Sequence, residues 1–336
     1  MPVRRLPPWF GTALVYTVAI LCLWWVYQGF DWKSELPRLR HIHWKWIALA
    51  VACDVLVYIS QAWRWNLVLR PVKKLPLWRS VQAIYIGLFA NEVLPFRSGE
   101  IIRCYLQSHW SDIPLPITLS SALIERLVDG VWLIFGFALV AWLVPAVPDP
   151  VEAGAYVLAA IVFVIGAVVV FAVVSKRFAH HVSTRHRWSE AVRTLIEGLH
   201  TMGKSRSFFL AVAASTVYLG LQLIPIYAMI RGFGLENLGI GDAAVILVVL
   251  RLSTVIPGLP GNVGPFQYAG VLALHRILGV SRHVATSLTT VMFLVVTLPL
   301  LVAGWIALAA TGLEIREIYR NAHASSRTRK PKTPVG

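Results

Sequence analysis

Apolar residues are concentrated in long, nearly uninterrupted stretches that are separated by short polar or basic segments. A helix needs about 20 predominantly apolar residues to cross the hydrocarbon core of a bilayer. Six stretches are long enough, at roughly 9–28, 45–67, 117–143, 153–175, 207–230 and 284–311. The pattern therefore predicts an all-α polytopic integral membrane protein with six crossings.

Two further apolar regions are interrupted near their centres. The first spans about 80–110 and breaks at L-P-F-R-S-G (94–99), and the second spans about 242–280 and breaks within 257–265, which is rich in proline and glycine. Proline ends a helix because it lacks the backbone N–H group and its ring clashes with the preceding turn. Each region is thus expected to form two short helices joined by irregular backbone.

The distribution of lysine and arginine orients these segments, because positive charge accumulates on the cytoplasmic side of a membrane. Basic residues are frequent in 70–79, in 176–206 and in the C-terminal tail, whereas 144–152 has none. We therefore place both termini in the cytoplasm and 144–152 outside. Each broken region then starts and ends on one side, and its pieces are short for full crossings. We expect two re-entrant helical hairpins, one entering from each face.

The two breaks share the pattern L-P-x-x-x-G, at 94–99 and 259–264. This placement indicates an inverted repeat with halves at about 1–143 and 153–312, an arrangement in which transporters bind substrate near the bilayer midplane. Ser98 is expected to cap one outgoing helix and Asn262 or Gly264 the other, with their N-terminal ends available to phosphate. Ordinary proline kinks are the alternative interpretation.

Composition agrees with a membrane location, since 57% of the 336 residues are hydrophobic and only 14% are charged. The net charge of +15 lies mostly between the apolar stretches, where it meets anionic lipid, so we do not expect nucleic-acid binding. Cys22, Cys53 and Cys104 lack metal-ligand spacing. No cofactor is expected. The sequence shows no recognisable combination of a nucleophile and a base, so a transporter is favoured over an enzyme.

Ionisable residues inside apolar stretches are costly and usually face a cavity or a partner. Glu92, Arg97, Glu100 and Arg103 surround the first break. The two arginines suit a phosphate group, because a guanidinium binds phosphate oxygens through paired N–H groups. A self-contained cluster of ion pairs is the alternative interpretation of the same four residues.

Two other helices and the second break add further candidates. Glu125 and Asp129 share one helix face, and Arg126 is placed to pair with Asp129. Asp54 begins a polar stripe that continues through Tyr58, Gln61 and Arg64 at helical spacing. This stripe either faces a substrate or serves helix–helix hydrogen bonding. Arg251 lies just before the second break.

At this point the sequence resembles a known family. Residues 91–103 read N-E-V-L-P-F-R-S-G-E-I-I-R and are similar to the N-x-x-L-P-x-R-x-G-E-x-x-R signature of the lysylphosphatidylglycerol synthase transmembrane region, also called the flippase-like domain family. Residues 125–129 resemble its E-R-x-x-D helix, and 257–264 resemble its P-x-x-P-G-x-x-G break. The family usually has an acidic residue where this chain has Gln267.

The resemblance implies translocation, by flipping or scrambling, of a phosphate-bearing and sometimes modified lipid between leaflets of the cytoplasmic (inner) membrane. Relatives act in aminoacyl-phospholipid, polyprenyl-phosphate and hopanoid pathways, so the lipid stays open. We expect a stand-alone form without the synthase domain, with one transmembrane domain over 1–320 and a basic disordered cytoplasmic tail over 321–336. There are two rival functions, in which the protein is either an accessory subunit of a lipid synthase or glycosyltransferase, or a membrane enzyme that acts on lipid headgroups.

The expected partners are an anionic or phosphate-bearing membrane lipid and a separate lipid-modifying synthase, with homo-oligomers left open. The residues predicted to bind substrate are Asp54, Asn91, Glu92, Arg97, Ser98, Gly99, Glu100, Arg103, Glu125, Arg126, Asp129, Arg251, Asn262, Gly264 and Gln267.

Overall fold

The computed structural model describes residues 20–30, 42–94, 98–143, 187–203, 205–253 and 260–311, together with position 17 and isolated positions between 153 and 167. Throughout these residues the regular secondary structure is helical. Parts of several predicted features lie outside the described residues. They are the start of the first crossing, most of 153–175, the 144–152 loop, Arg97 and the tail 321–336.

Nine helices are labelled here in chain order. They are α1 (Trp44–Leu69), α2 (Leu77–Val93), α3 (Gly99–Ser111), α4 (Leu115–Leu143), α5 (Arg187–Gly203), α6 (Arg206–Gly232), α7 (Ile240–Ser253), α8 (Pro265–Val271) and α9 (Arg282–Ala309). A 3₁₀ turn (Pro260–Asn262) precedes α8 and a π-helical turn (Leu272–Ile277) follows it. Residues 20–27 are also helical.

Three of these helices, α1, α6 and α9, are long and apolar enough to cross a membrane. Their large apolar side chains are exposed on the outer surface of the bundle, as at Phe209, Leu298 and Trp305. Such a surface is compatible with lipid as the surrounding solvent, but not with water. The prediction of an all-α membrane protein is therefore confirmed, and α1, α4, α6 and α9 begin and end within a few residues of the predicted stretches.

The first broken region forms a closely packed pair of helices, α2 and α3. Their approach depends on glycine, because a Cβ atom on Gly99 would overlap the carbonyl oxygen of Gly87. Asn91 fixes the end of the pair, since its Oδ1 accepts a hydrogen bond of 2.8 Å from the Gly99 N–H group. The prediction that Ser98 caps α3 was wrong in its chemistry: Ser98 occupies the N-cap position, but its side chain makes no capping hydrogen bond.

The second broken region is more irregular. Gly261 and Asn262 both adopt left-handed backbone angles, with φ of 72° and 54°. Gly264 is the N-cap of α8 and Pro265 its first residue, which confirms one of the two predicted caps. Gln267 stabilises this start, because its Oε1 accepts a 2.8 Å hydrogen bond from the Gly264 N–H group.

Helix α5 was not predicted, because the sequence analysis treated 176–206 only as a basic loop. It packs against α4 through its buried face, which includes Ile196, Leu199 and Met202. Ser120 of α4 donates a 2.9 Å hydrogen bond to the carbonyl of Leu195. Together with Leu195, these apolar residues recur at spacings of three and four positions, and this was the signal that could have found the helix.

Candidate functional site

Six charged side chains from α1, α3 and α4 form a closed ring in which arginine and carboxylate alternate. Around the ring they are Asp129, Arg64, Glu125, Arg103, Glu100 and Arg126. Three positive and three negative charges make the ring formally neutral. A neutral, fully paired cluster is the form in which charges are tolerated within apolar surroundings.

The inner part of the ring is buried. Arg64 contacts Glu125 at 3.3 Å and Asp129 at 2.5 Å, while Arg103 contacts Glu125 at 3.0 Å and Glu100 at 2.8 Å. The side chains of Arg64, Arg103 and Glu125 are at most 3% exposed. Aromatic rings cover both arginines, since Arg64 lies 4.5 Å from the centroid of Tyr218 and Arg103 lies 4.7 Å from that of Trp65. These three charges are therefore inaccessible to a ligand.

The outer part of the ring is open. Arg126 contacts Glu100 at 3.0 Å and Asp129 at 3.7 Å, and its side chain is 46% exposed. Glu100 and Asp129 are exposed to 35% and 22%. Arg126 is thus the one arginine of the ring that a headgroup can reach without displacing a buried side chain.

A cavity of about 380 Å³ lies against this outer part of the ring. Its wall combines an apolar side from α7 and α9 with polar groups from α1, α2, α6 and the second break. The charged residues on the wall are Asp54, Glu92, Glu100, Arg126 and Arg251. The polar neutral residues are Tyr58, Gln61, Asn91, Tyr218, Gln222, Asn262 and Thr297. This volume is within the range of small-molecule sites and suits a polar headgroup rather than a whole lipid.

The second break contacts the end of α2 at this cavity. Gly261 packs so closely on α2 that a Cβ atom there would lie 2.5 Å from Oε2 of Glu92. Asn262 beside it lines the cavity, and its Nδ2 donates to the Ser253 hydroxyl at 3.4 Å. The end of α2, which leads into the first break, and the described part of the second break therefore share one wall.

Arg251 supplies the second positive charge on the wall. It donates hydrogen bonds to Oε1 of Gln222 and, at 3.3 Å, to the hydroxyl of Tyr218. Both of these acceptors are neutral. An anion in the cavity would therefore meet two cationic groups of the wall, Arg126 from α4 and Arg251 from α7.

The structure sorts the predicted site residues into two groups. On the cavity wall lie Asp54, Asn91, Glu92, Glu100, Arg126, Arg251 and Asn262. Off the described wall lie Ser98, Gly99, Arg103, Glu125, Asp129, Gly264 and Gln267. Arg97 is outside the described residues, so its predicted role stays a prediction. The assignment of Arg103 to the substrate also stays a prediction, but its burial and two carboxylate partners favour a supporting role.

Two side chains on the wall were missed by the sequence analysis. Tyr218 and Gln222 are four residues apart in α6 and both face the cavity. Their signal was present, since this spacing places two polar groups on one face of an otherwise apolar stretch. Among the described residues, no group of three or more His, Cys, Asp or Glu side chains could hold a metal ion.

The predicted half-helix anion sites are partly occupied by the protein itself. The Gly99 N–H group at the start of α3 donates to Asn91, and the Gly264 N–H group at the start of α8 donates to Gln267. Positive charge on the described cavity wall therefore comes mainly from the side chains of Arg126 and Arg251.

Comparison with known families gives one match. The family described as the lysylphosphatidylglycerol synthase TM region matches residues 9–304. The chain belongs to this family. The match covers α1 to α8, most of α9 and both breaks, so the ring and the cavity wall lie within the family's own domain. It relates the protein to lipid modification or transport in a membrane. No curated protein and no solved structure matched the chain.

Proposed function

We propose that this member of the family moves an anionic, phosphate-bearing lipid between the two leaflets of the cytoplasmic membrane. The observation that carries the proposal is the position of Arg126, half-exposed on the wall of a headgroup-sized cavity that a second arginine, Arg251, also lines. Guanidinium groups bind phosphate oxygens strongly through paired N–H groups. The acyl chains would remain in the bilayer while the headgroup passes through the cavity.

The ring lets Arg126 exchange its partners at low cost. When Arg126 turns towards a phosphate, Glu100 keeps its ion pair with Arg103, and Asp129 keeps its ion pair with Arg64. No carboxylate is then left unpaired. Breaking a buried ion pair and leaving one charge without a partner would cost about 3–5 kcal/mol. A mobile cation at the cavity is thus compatible with a rigid cluster behind it.

We further infer the finer topology: six crossings, two re-entrant hairpins and an inverted repeat, with both termini in the cytoplasm. The close packing of α2 on α3 supports the first hairpin, and the contact of Glu92 with Gly261 supports two hairpin tips that meet in the bilayer. Irregular backbone at this depth is stable where it is buried in protein or lines a wet cavity. The described part of the second break agrees with this condition, because Gly261 and Asn262 line the cavity.

The first experiment identifies lipid that co-purifies with the full chain, by mass spectrometry of extracts from protein in nanodiscs. We expect a lipid with at least one phosphate. The second measures translocation of that lipid in proteoliposomes, with Arg126→Ala as the test variant. Translocation by wild-type protein and its loss in the variant support the proposal, whereas recovery of only neutral lipid contradicts it.

We propose a transporter rather than an enzyme, and the same preparations distinguish the rivals. An enzyme acting on headgroups would convert the lipid into a product of different mass, and this conversion would need no second leaflet. An accessory subunit would move and convert nothing until its synthase or glycosyltransferase partner is added. The proposal therefore fails if wild-type protein alone leaves the lipid in its original leaflet.

A further inference from the structure

Asp54 is a buried carboxylate that the ring does not include. It lies within α1, is only 7% exposed and lines the cavity. Its Oδ2 has no hydrogen-bond partner among the described residues. An ionised carboxylate in this position is costly, because no donor among the described residues forms a hydrogen bond with its Oδ2. The arrangement is suited to a group that changes its charge.

The neighbours of Asp54 leave its charge only partly compensated. The titratable groups that interact with it are Tyr58 of α1, Tyr85 of α2 and Arg251 of α7. From α6, Tyr218 and Gln222 face the cavity and hold the guanidinium of Arg251 by hydrogen bonds. The cavity residues of α9 are Phe293, Val296, Thr297 and Leu300, which carry no charge, and the charges of α4 belong to the ring. Arg251 therefore attracts Asp54 without forming a direct ion pair.

The charge balance of the cavity completes the observation. The ring is neutral as a whole, so the remaining described charges on the wall are two carboxylates, Asp54 and Glu92, and one arginine, Arg251. A single proton on the unpaired Oδ2 of Asp54 removes one negative charge from this wall, which weakens the repulsion of an anionic headgroup.

We propose that Asp54 is a proton-binding site, and that an anionic headgroup enters the cavity together with one proton carried on Oδ2. The inference rests on the proposed function of the cavity. The proton comes from water on the side where the lipid enters and returns to water on the other side, so no further reactant is needed. A pH gradient would then supply direction to the transport.

A metal cation fits this position less well. The unsatisfied oxygens on the described wall are Asp54 Oδ2 and Asn262 Oδ1, whereas hard cations prefer six or more oxygen ligands (about 6–8 for Ca²⁺). Arg251 also interacts with Asp54 and would repel a cation there. A proton needs one oxygen and no coordination shell.

The test measures binding of dihexanoylphosphatidylglycerol, a soluble short-chain lipid with one phosphodiester charge, to the full chain by calorimetry between about pH 5 and pH 9. In wild-type protein we expect uptake of about one proton per lipid, and an affinity that falls about tenfold per pH unit once Asp54 is ionised. Asp54→Asn should bind with an affinity that does not depend on pH.

Asp112→Asn is the matched control. Asp112 is exposed in the turn between α3 and α4, and asparagine tolerates its left-handed backbone angle of 51°. This variant should keep the wild-type pH dependence. If Asp54→Asn does not fold, the number of protons taken up per lipid by the wild-type protein still tests the proposal. Lipid binding without proton uptake overturns it.

Other outcomes also discriminate. A pH dependence that survives in Asp54→Asn but disappears in Glu92→Gln overturns the assignment to Asp54. Lipid binding that requires Na⁺ overturns the proposal that the coupled ion is a proton. Infrared spectra give an independent readout, because wild-type protein should gain a protonated-carboxyl band on acidification that Asp54→Asn lacks. If wild-type protein binds no anion at any pH, the proposed function of the cavity fails, and the coupling of lipid to proton fails with it. The infrared band shows separately whether Asp54 binds a proton.

Discussion

Removal of Arg126 is expected to impair lipid binding while leaving the fold intact. Its two ion pairs, with Glu100 at 3.0 Å and Asp129 at 3.7 Å, involve side chains that are all at least one-fifth exposed. Pairs of this kind stabilise a protein by about 0–1 kcal/mol. A charge-assisted contact to phosphate is stronger, about 1.5–3 kcal/mol, so Arg126→Ala should weaken binding roughly ten- to a hundredfold.

Removal of Arg103 should have the opposite consequence. Its side chain is 3% exposed and it holds both Glu100 and Glu125, the latter fully buried. Arg103→Ala leaves Glu125 with Arg64 alone and opens space beside Trp65. Breaking a buried pair on one side costs about 3–5 kcal/mol, so we expect less folded protein and a lower melting temperature.

The assay measures both properties on the same preparations. Affinity for dihexanoylphosphatidylglycerol and lipid translocation are compared with thermal stability for Arg126→Ala, Arg126→Lys and Arg103→Ala. Lysine should restore only part of the affinity, because it offers a point charge without the planar guanidinium. Arg193→Ala is the control, since Arg193 forms an exposed pair with Glu197 on α5, away from the cavity. Normal translocation by Arg126→Ala, or a loss of stability equal to that of Arg103→Ala, would refute the reasoning.

Three further predictions concern the fold. Gly99→Ala should destabilise the α2–α3 pair by about 1–3 kcal/mol or prevent folding, because the added Cβ atom would overlap backbone atoms. Gly220→Ala is the control, since a Cβ atom there meets open space. Equal melting temperatures for these two variants would contradict the packing. Gln267→Ala should lower stability by about 0.5–2 kcal/mol through loss of the α8 cap, and Gln267→Glu should lie closer to wild type because it keeps the acceptor. In a chain without native cysteines, single cysteines in 144–152 should react with impermeant reagents from outside and those in 176–206 only after permeabilisation; labelling of 176–206 in intact cells would reverse the orientation.

Much of the fold could be predicted because the bilayer imposes simple rules on sequence. An apolar stretch of about 20 residues predicts a helix with few competing structures, and α1, α4, α6 and α9 follow these stretches closely. The breaks could be recognised because proline and glycine fall close together there, as in 257–265, whereas single prolines such as Pro225 and Pro299 lie inside continuous helices. Helix α5 was missed because it lacks a long apolar stretch and carries the amphipathic pattern that is typical of a surface helix.

The candidate site was predictable only in part. Position in an apolar stretch identified Asp54, Glu92, Arg126 and Arg251 as exceptional, and all four lie on the cavity wall. The sequence did not distinguish an arginine that faces a ligand from one that supports a neighbour. Arg103 follows Glu100 and Arg126 precedes Asp129, each at a spacing of three residues, so the sequence treats them alike. Tertiary packing buries the first and exposes the second.

The charge carried in each transport cycle gives a final prediction. If one proton on Asp54 accompanies one singly charged headgroup, the loaded cavity and the empty deprotonated cavity have the same net charge. Transport should then respond to a pH gradient but not to the membrane potential. In proteoliposomes with fluorescent phosphatidylglycerol, a potassium diffusion potential set with valinomycin should leave the wild-type rate unchanged. Asp54→Asn should show the reverse, because it carries the anion without a proton. A wild-type rate that follows the potential would contradict coupled entry.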